Sequence, residues 1–211
     1  ITFQKNDGVK TNTNNYNVFT NAKIFITPTQ IVNNGTLVIK NGKVIASGEN
    51  LSIPKNSIVT DLKGKSIYPS FIDIYSNFGT SVTPHQSNGN YSPQYTAMRK
   101  GFYWNDHMRP DIKALNHFKY NTKKAEQLQK IGFGVVNTHV DDGIIQGSGM
   151  LLALSEKIDN SKRILDENLG LFYGTRKSKT SKQSYPTSIM GTFALLRQFN
   201  HDAKWYATGN M

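Results

Sequence analysis

Between Tyr16 and Tyr68 the apolar positions come in short runs, Tyr16–Ile26, Gly35–Lys40, Lys43–Ser47 and Ser57–Leu62, broken by Thr27-Pro28, Asn33-Asn34-Gly35 and Ile53-Pro54. That rhythm predicts a small sheet of short strands. Its sharpest local signal is Asn41-Gly42, set between two apolar stretches within Thr36–Ser47. Both central positions of a type I′ turn need positive φ, which Asn and Gly tolerate, so a two-residue hairpin is predicted here. After Pro69 the side chains alternate, placing Phe71, Asp73, Tyr75 and Asn77 on one face of a strand and Ile72, Ile74 and Ser76 on the other. A polar run along one face of an otherwise apolar strand marks a candidate site. The stretch His85 to Tyr103 is rich in Gly, Ser, Asn, Pro and aromatics, which predicts a structured loop packed over the strand ends.

Asp111 to Lys130 carries Ile112, Leu115, Phe118, Ala125 and Leu128 at helical spacings, with a restart cap expected at Asn121-Thr122 and a stop at Gly132. Phe133 to Gly143 then reads as a short buried strand running into a polar terminus and a turn. Met150–Leu154 and Leu169–Tyr173 read as further strands. Ser188–Tyr206 is the longest predicted helix, with Ile189, Phe193, Leu196, Phe199 and Ala203 on one face. A strand, a helix and a second strand in that order form the unit of a parallel α/β sheet or barrel, so the fold class is α/β.

Composition removes several functions. No apolar run approaches the roughly 18 residues that a membrane helix requires. Cysteine is absent, which excludes disulfides and thiolate metal sites, while five His and 14 Asp+Glu leave a His/carboxylate site open. The formal net charge of +11 suggests attraction to anions. Most Lys and Arg are scattered, however, and the one concentration, Arg176, Lys177, Lys179 and Lys182 in the Ser/Thr-rich segment 174–184, reads as a solvated loop. No nucleic-acid motif accompanies it, so nucleic acid is not an expected partner. Residues 1–15 are polar and aperiodic and read as a leader without a hydrophobic signal core.

The candidate chemistry sits in two places. His139 and Asp141 have i, i+2 spacing at a strand's C-terminal end, and with Asp73 they could form a small His/carboxylate cluster that holds a ligand or metal. In the alternative reading Asp73 caps a backbone turn, His139 hydrogen-bonds locally, and Asp141-Asp142-Gly143 is a turn. His85, His107, His117 and His201 are dispersed and read as surface or packing residues. Gly143-Ile-Ile-Gln-Gly-Ser-Gly149 lacks the Lys-Ser/Thr of a phosphate loop, so its glycines are expected to shape a turn between strands.

The order of Asn21-Ala-Lys-Ile24, the hairpin Leu37-Val-Ile-Lys-Asn-Gly-Lys-Val-Ile45, Asp61-Leu-Lys-Gly-Lys65 and Tyr68-Pro-Ser-Phe-Ile-Asp73 resembles the opening of the amidohydrolase superfamily. In that family the first strands belong to a small β-sandwich, and a Pro-Gly-Phe-Ile-Asp-x-His-x-His segment forms the first strand of a (β/α)₈ barrel. Ile131-Gly-Phe-Gly-Val-Val136 resembles the family's next barrel strand. Over its whole length, including Tyr185-Pro-Thr-Ser-Ile-Met-Gly191 and Arg197-Gln198, the chain resembles the front of long, exported bacterial amidohydrolase-like proteins that carry two such units in tandem.

The resemblance implies a β-sandwich segment over 16–68 and the first βα units of a TIM-like barrel over 69–211, with the barrel incomplete. A barrel of this kind takes roughly 250 residues, more than follow Tyr68 in the 211-residue chain. The remaining strands, any carboxylated lysine and the catalytic Asp are therefore expected beyond Met211. It further implies a periplasmic or cell-envelope location, the remainder of the same polypeptide as partner, a small amide or peptide-like substrate, and metal-dependent hydrolysis of C–N amide or ring bonds by the full-length protein, with zinc or another divalent ion. The departures matter as much. Tyr75 and Asn77 stand where the family has its two metal-binding histidines, and Ser70 replaces the usual glycine. A phenol and a neutral amide are poor ligands for a hydrolytic metal. The segment is therefore expected to lack its own metal site, or to be a non-catalytic binding or assembly module that keeps the fold.

Overall fold

In a computed structural model of the chain, the structure describes residues 15–84, 105–155 and 160–209. The expected loop 85–103, with His85, and nearly all of the expected leader lie outside the described residues. The chain divides into two compact units, Ile1–Pro69 and Ser70–Met211.

The first unit is one mixed sheet. Strands β1 (Tyr16–Phe25), β2 (Ile31–Lys40), β3 (Lys43–Gly48) and β4 (Ser57–Asp61) lie in the order β3-β2-β1-β4, and β5 (Ser66–Ile67) also pairs with β1. The described residues of the segment assigned to a β-sandwich thus form one five-stranded sheet. Strands β4 and β5 both run parallel to β1 along successive stretches of it, Tyr16–Thr20 and Lys23–Ile24. Asn21, at φ +53°, interrupts β1 between those stretches. Its amide donates to Asp61 Oδ1 at 3.0 Å, and the same oxygen accepts the Lys63 N–H at 2.9 Å. That backbone bond, with Asn21 second, holds the Asp61 carboxyl below its ordinary pKa. Ala22, Ile24 and Leu37 form the core of the unit. The β2–β3 hairpin closes as expected: Lys40 pairs with Lys43, and Asn41 and Gly42 take φ of +50° and +74°.

In the second unit, β6 (Phe71–Ser76) is followed by the one-turn helix α1 (Ala114–His117), helix α2 (Thr122–Lys130) and β7 (Phe133–Thr138). β6 and β7 pair in parallel, Phe71 with Phe133 and Ile72 with Val135. The helix expected over 111–130 is broken because Phe118 and Lys119 are drawn into extended pairing: Thr80 bridges to Phe118 and the Lys119 N–H donates to Gly79 O at 2.8 Å. Asn121 restarts it, its side chain accepting the Lys124 N–H at 3.0 Å.

The first βα units of a barrel were expected, and among the described residues one is present. β9 (Met150–Ala153) runs antiparallel to β7, and β10 (Ile164–Asp166) antiparallel to β9, giving the order β10-β9-β7-β6. Between β7 and β9 the chain makes no crossover helix, without which a parallel return is not available. That connection instead holds β8 (Ile145–Ser148), paired with β11 (Leu171–Tyr173), where only a glycine-rich turn was expected. Gly147 sits in it at φ +83°, and a Cβ there would collide with the Ile112 carbonyl oxygen.

Phe78, Ala114, Ala125, Val136, Met150, Leu152 and Leu154 form the core between this sheet and α1–α2. After α3 (Asn160–Arg163), the remaining helix is α4 (Ile189–Ala207), capped by Ser188, whose hydroxyl accepts the Gly191 N–H at 3.1 Å. Its packed stripe is Thr192, Leu195, Leu196 and Phe199 against Met108, Ile144 and Ile145. The expected stripe was rotated by part of a turn, since Ile189 and Phe193 are half exposed and Ala203 is exposed. Ile72 and Ile74 of the edge strand β6 are also exposed, at 56% and 75%.

Replacing Gly42 by Val is expected to destabilise the chain by about 1–2 kcal/mol, because a β-branched residue is forced to positive φ. Nothing lies within 4 Å of a Cβ placed there, so the cost is conformational and not steric. A thermal melt of G42V checks it, and an unchanged midpoint would contradict the turn assignment.

Candidate functional site

Parallel pairing delivers the C-terminal ends of β6 and β7 to the same place. The His139 N–H donates to Ser76 O at 2.9 Å, the Thr138 hydroxyl to Phe78 O at 2.7 Å and the Thr80 hydroxyl to His139 O at 2.7 Å. Fastened in this way, Asp73, Tyr75, Asn77, His139 and Asp141 line one cavity of about 320 Å³ together with Lys124 of α2.

Each side chain has a defined environment. Asp73 Oδ1 accepts the Tyr75 N–H at 3.2 Å, which is the turn-capping alternative. The Tyr75 hydroxyl donates to Gln146 Oε1 at 3.3 Å, and its ring lies 4.3 Å from that of His139. His139 stacks on Phe172, with ring centroids 4.1 Å apart and planes 5° from parallel. The local hydrogen bond expected of its ring does not form: His139 is fully buried and neither ring nitrogen has a hydrogen-bond partner. Gln146 lies close enough to influence the ring's charge without making a well-formed bond to it. Burial holds the imidazole below its ordinary pKa, against the opposing pull of Asp141 and Asp73.

Asn77 Oδ1 accepts from the Lys124 ammonium at 3.3 Å. Asp141 Oδ1 accepts from Gln146 Nε2 at 3.3 Å, and its other oxygen lies 4.0 Å from the Lys179 ammonium. Lys179 comes from the basic segment 174–184, which is not the freely solvated loop that its composition suggests. Asp142, almost fully buried, gathers it: Oδ2 accepts the Ser178 and Thr180 hydroxyls at 2.6 and 2.9 Å, and Oδ1 accepts the Lys179 N–H at 2.6 Å. Residues 178–183 therefore form a strap. Lys179 on it, and Arg176 and Lys177 just before it, remain exposed. Of the dispersed histidines, His117 and His201 are exposed, while His107 is buried beneath the strap.

This donor set does not fit a divalent metal. Among the described residues no three His, Asp or Glu side chains are gathered as a metal would require. Asp73, His139 and Asp141 share the cavity without forming such a cluster. A phenol and an amide hold the i, i+2 positions, each already engaged, and the amide's partner is itself a cation. What remains is a polar cavity with carboxylates and ammonium groups on its walls. No local pattern marked Gln146, Phe172 or Lys124 as members, because each meets Tyr75, His139 or Asn77 only through the tertiary fold; of the strap's anchor, only the Asp141-Asp142 pair after a strand was visible.

No protein-family model matches the chain. No curated protein matches it. Among solved structures, an amidohydrolase from Thermotoga maritima superposes with a TM-score of 0.62 at 22% identity, over 92% of this chain and 49% of its own. The chain thus spans about half the length of that protein. A second amidohydrolase (TM-score 0.27, 23% identity, 29% of this chain and 15% of its own) and a prolidase bound to N-methylphosphonate-L-proline (TM-score 0.28, 16% identity, 32% and 17%) overlap it over shorter stretches. The chain is thus folded like about half of that amidohydrolase, consistent with the fold that the sequence resemblance implied.

Because burial lowers the His139 pKa, the unfolded chain binds that proton more readily than the folded one. The associated stability is present above the free imidazole value of about 6.5 and is lost as pH falls below it. Denaturant unfolding of the wild type should therefore weaken between about pH 7.5 and pH 5.5. His139→Phe, which keeps the stack on Phe172, should remove up to about 1.4 kcal/mol per pH unit from that slope. An identical slope in both proteins would place the uncompensated imidazole elsewhere.

Proposed function

We propose, from a chain folded like about half of an amidohydrolase and from the sequence resemblance to the front of such proteins, that this is the N-terminal portion of an amidohydrolase-like protein whose hydrolysis of C–N amide or ring bonds is carried out by another part of the same polypeptide. In this reading the present unit has no working metal site, and any zinc or other divalent ion belongs to that other part. The observation that carries it is the replacement of both ligand positions by Tyr75 and Asn77, each committed to a protein partner, Gln146 and Lys124. A hydrolytic metal acts by lowering the pKa of bound water. An ammonium hydrogen-bonded at the same place supplies positive charge but no coordination site for that water. Tyr75, Asn77, Asp73, His139 and Asp141 are accordingly read as walls of a polar pocket, with no catalytic step assigned to them.

The remainder of the polypeptide is also the proposed partner of the exposed apolar edge. Phe71, Ile72 and Ile74 lie on an edge strand, which offers both unpaired backbone groups and apolar surface. Export to the periplasm or cell envelope, and a small amide or peptide-like substrate, complete the reading on the strength of the family resemblance. A second reading, a non-catalytic binding or assembly module, is favoured by the same engaged ligand positions. A second Pro-Gly-x-Ile-Asp-x-His-x-His segment in the full-length protein would separate the two, since only the first reading requires it.

Metal analysis after dialysis tests the central claim, and this chain is expected to retain no stoichiometric divalent metal. Near-stoichiometric zinc that disappears in His139→Ala but survives in Tyr75→Phe would overturn it in favour of a His139/Asp141 centre. The exposed β6 edge predicts that the chain by itself associates. Sedimentation showing a protease-resistant monomer would mean that the edge needs no partner.

A further inference from the structure

His107 is fully buried, and both of its ring nitrogens are tied to the strap. The Ser178 N–H lies 3.0 Å from Nδ1, and Nε2 lies 2.9 Å from the Gln183 carbonyl oxygen. A backbone N–H can only donate and a carbonyl can only accept, so Nδ1 must be bare and Nε2 must carry the hydrogen. The two bonds span residues 178–183 and fix one neutral tautomer.

We propose that His107 is a pH-sensitive latch, which fastens the 178–183 strap beside the strand-end cavity and releases it when the imidazole takes up a second proton. That proton has one place to go, Nδ1, where the Ser178 N–H already points. Donor then faces donor and the bond is lost. The hydrogen bonds from Ser178, Lys179 and Thr180 to Asp142 adjoin it in the chain, so the loss is felt at once along the strap. Lys179 is carried with them. Its ammonium leaves Asp141 and with it the wall of the cavity of about 230 Å³ lined by Asn77, Thr80, Val140 and Asp141. Protonation thus opens the cavity mouth on that side.

The groups facing the ring are Lys177 just before the strap, Asp106 on its own segment and Asp142 after β7. Burial is the largest influence and opposes the charged form, as does Lys177, while the Gln183 carbonyl and both carboxylates favour it. The imidazole consequently lies below its ordinary value, and the closed strap is the state of neutral pH. Asp106 and Asp142 are themselves hydrogen-bonded to the strap, through the Ser181 hydroxyl at 2.7 Å and the Ser178 hydroxyl at 2.6 Å. Acid could release it through them instead, so the test must resolve the imidazole.

Long-range 1H–15N spectra of the histidine side chains, recorded from about pH 8 to pH 4.5, read the His107 tautomer and its titration, expected below the free imidazole value. Amide exchange at Ser178, Lys179 and Thr180, corrected for its intrinsic pH dependence, reads the strap in the same samples. The expected result is a bare Nδ1 at high pH, with strap protection falling about tenfold per pH unit as the ring titrates. Lys177→Met should move both midpoints to higher pH together, and Lys177→Arg should leave them in place. A strap that opens while His107 keeps its neutral tautomer overturns the proposal and assigns release to the carboxylates. A ring that titrates under a still-protected strap, or a strap unaffected throughout, overturns it as well.

Discussion

The parallel pairing of β6 with β7 is the constraint on which the second unit depends. Two parallel strands need a crossover, and α2 supplies it, capped by Asn121 and stopped at Gly132 with φ +100°. Parallel strands also end at the same edge of the sheet. Everything chemically notable in the unit is a consequence of that coincidence: residues 73–77 and 139–142 leave the sheet side by side, and hydroxyls from Thr138 and Thr80 tie the two exits together. Antiparallel pairing would have sent Asn77 and Asp141 to opposite ends.

Once the exits are adjacent, desolvated carboxylates have to be satisfied, and this chain does so in an unexpected way. It carries 25 Lys+Arg against 14 Asp+Glu. Even so, the buried Asp142 is satisfied by two hydroxyls and a backbone N–H instead of by a cation. Burying an ammonium beside it would require stripping its water as well, and the desolvation cost can exceed the Coulombic gain. Short Ser and Thr hydroxyls fit the space at little entropic cost, so the lysines of the strap stay in water. The Ser/Thr content of 174–184, which looks like solvated loop, is in fact a set of donors matched to acids elsewhere in the chain.

Much of the fold was legible because it rests on local rules. Asn41-Gly42 prescribes its own turn, Asn121 and Ser188 cap the helices that follow them, and the alternation from Phe71 places Asp73, Tyr75 and Asn77 along one cavity. What escaped depends on partners distant in sequence. Phe118 breaks its helix because residues 79–80 offer a better pairing, Leu195 and not Phe193 faces the core because of where Ile144 and Ile145 lie, and the strap answers to acids 36 and 75 residues upstream. His139 illustrates the boundary within the site. Its strand-end position was readable, but its stacking on Phe172 and its unpaired nitrogens follow from β8–β11 pairing that no local pattern announces.

The two replaced ligand positions are best understood as one change. An imidazole pair projecting from one strand face is organised by a cation and, without one, has no shared partner to hold it. Tyr75 and Asn77 resolve this by different means. Tyr75 sets its ring against that of His139 and hands its hydroxyl to Gln146, while Asn77 accepts a hydrogen bond from an ammonium that the protein itself provides. Restoring one histidine would therefore leave the other replacement in place, with Lys124 still occupying part of the space and repelling an incoming cation. A metal centre could return only if Tyr75, Asn77 and Lys124 changed together, so each present residue stabilises the choice of the others. That interdependence keeps the strand-end cavity lined by side chains that answer to one another.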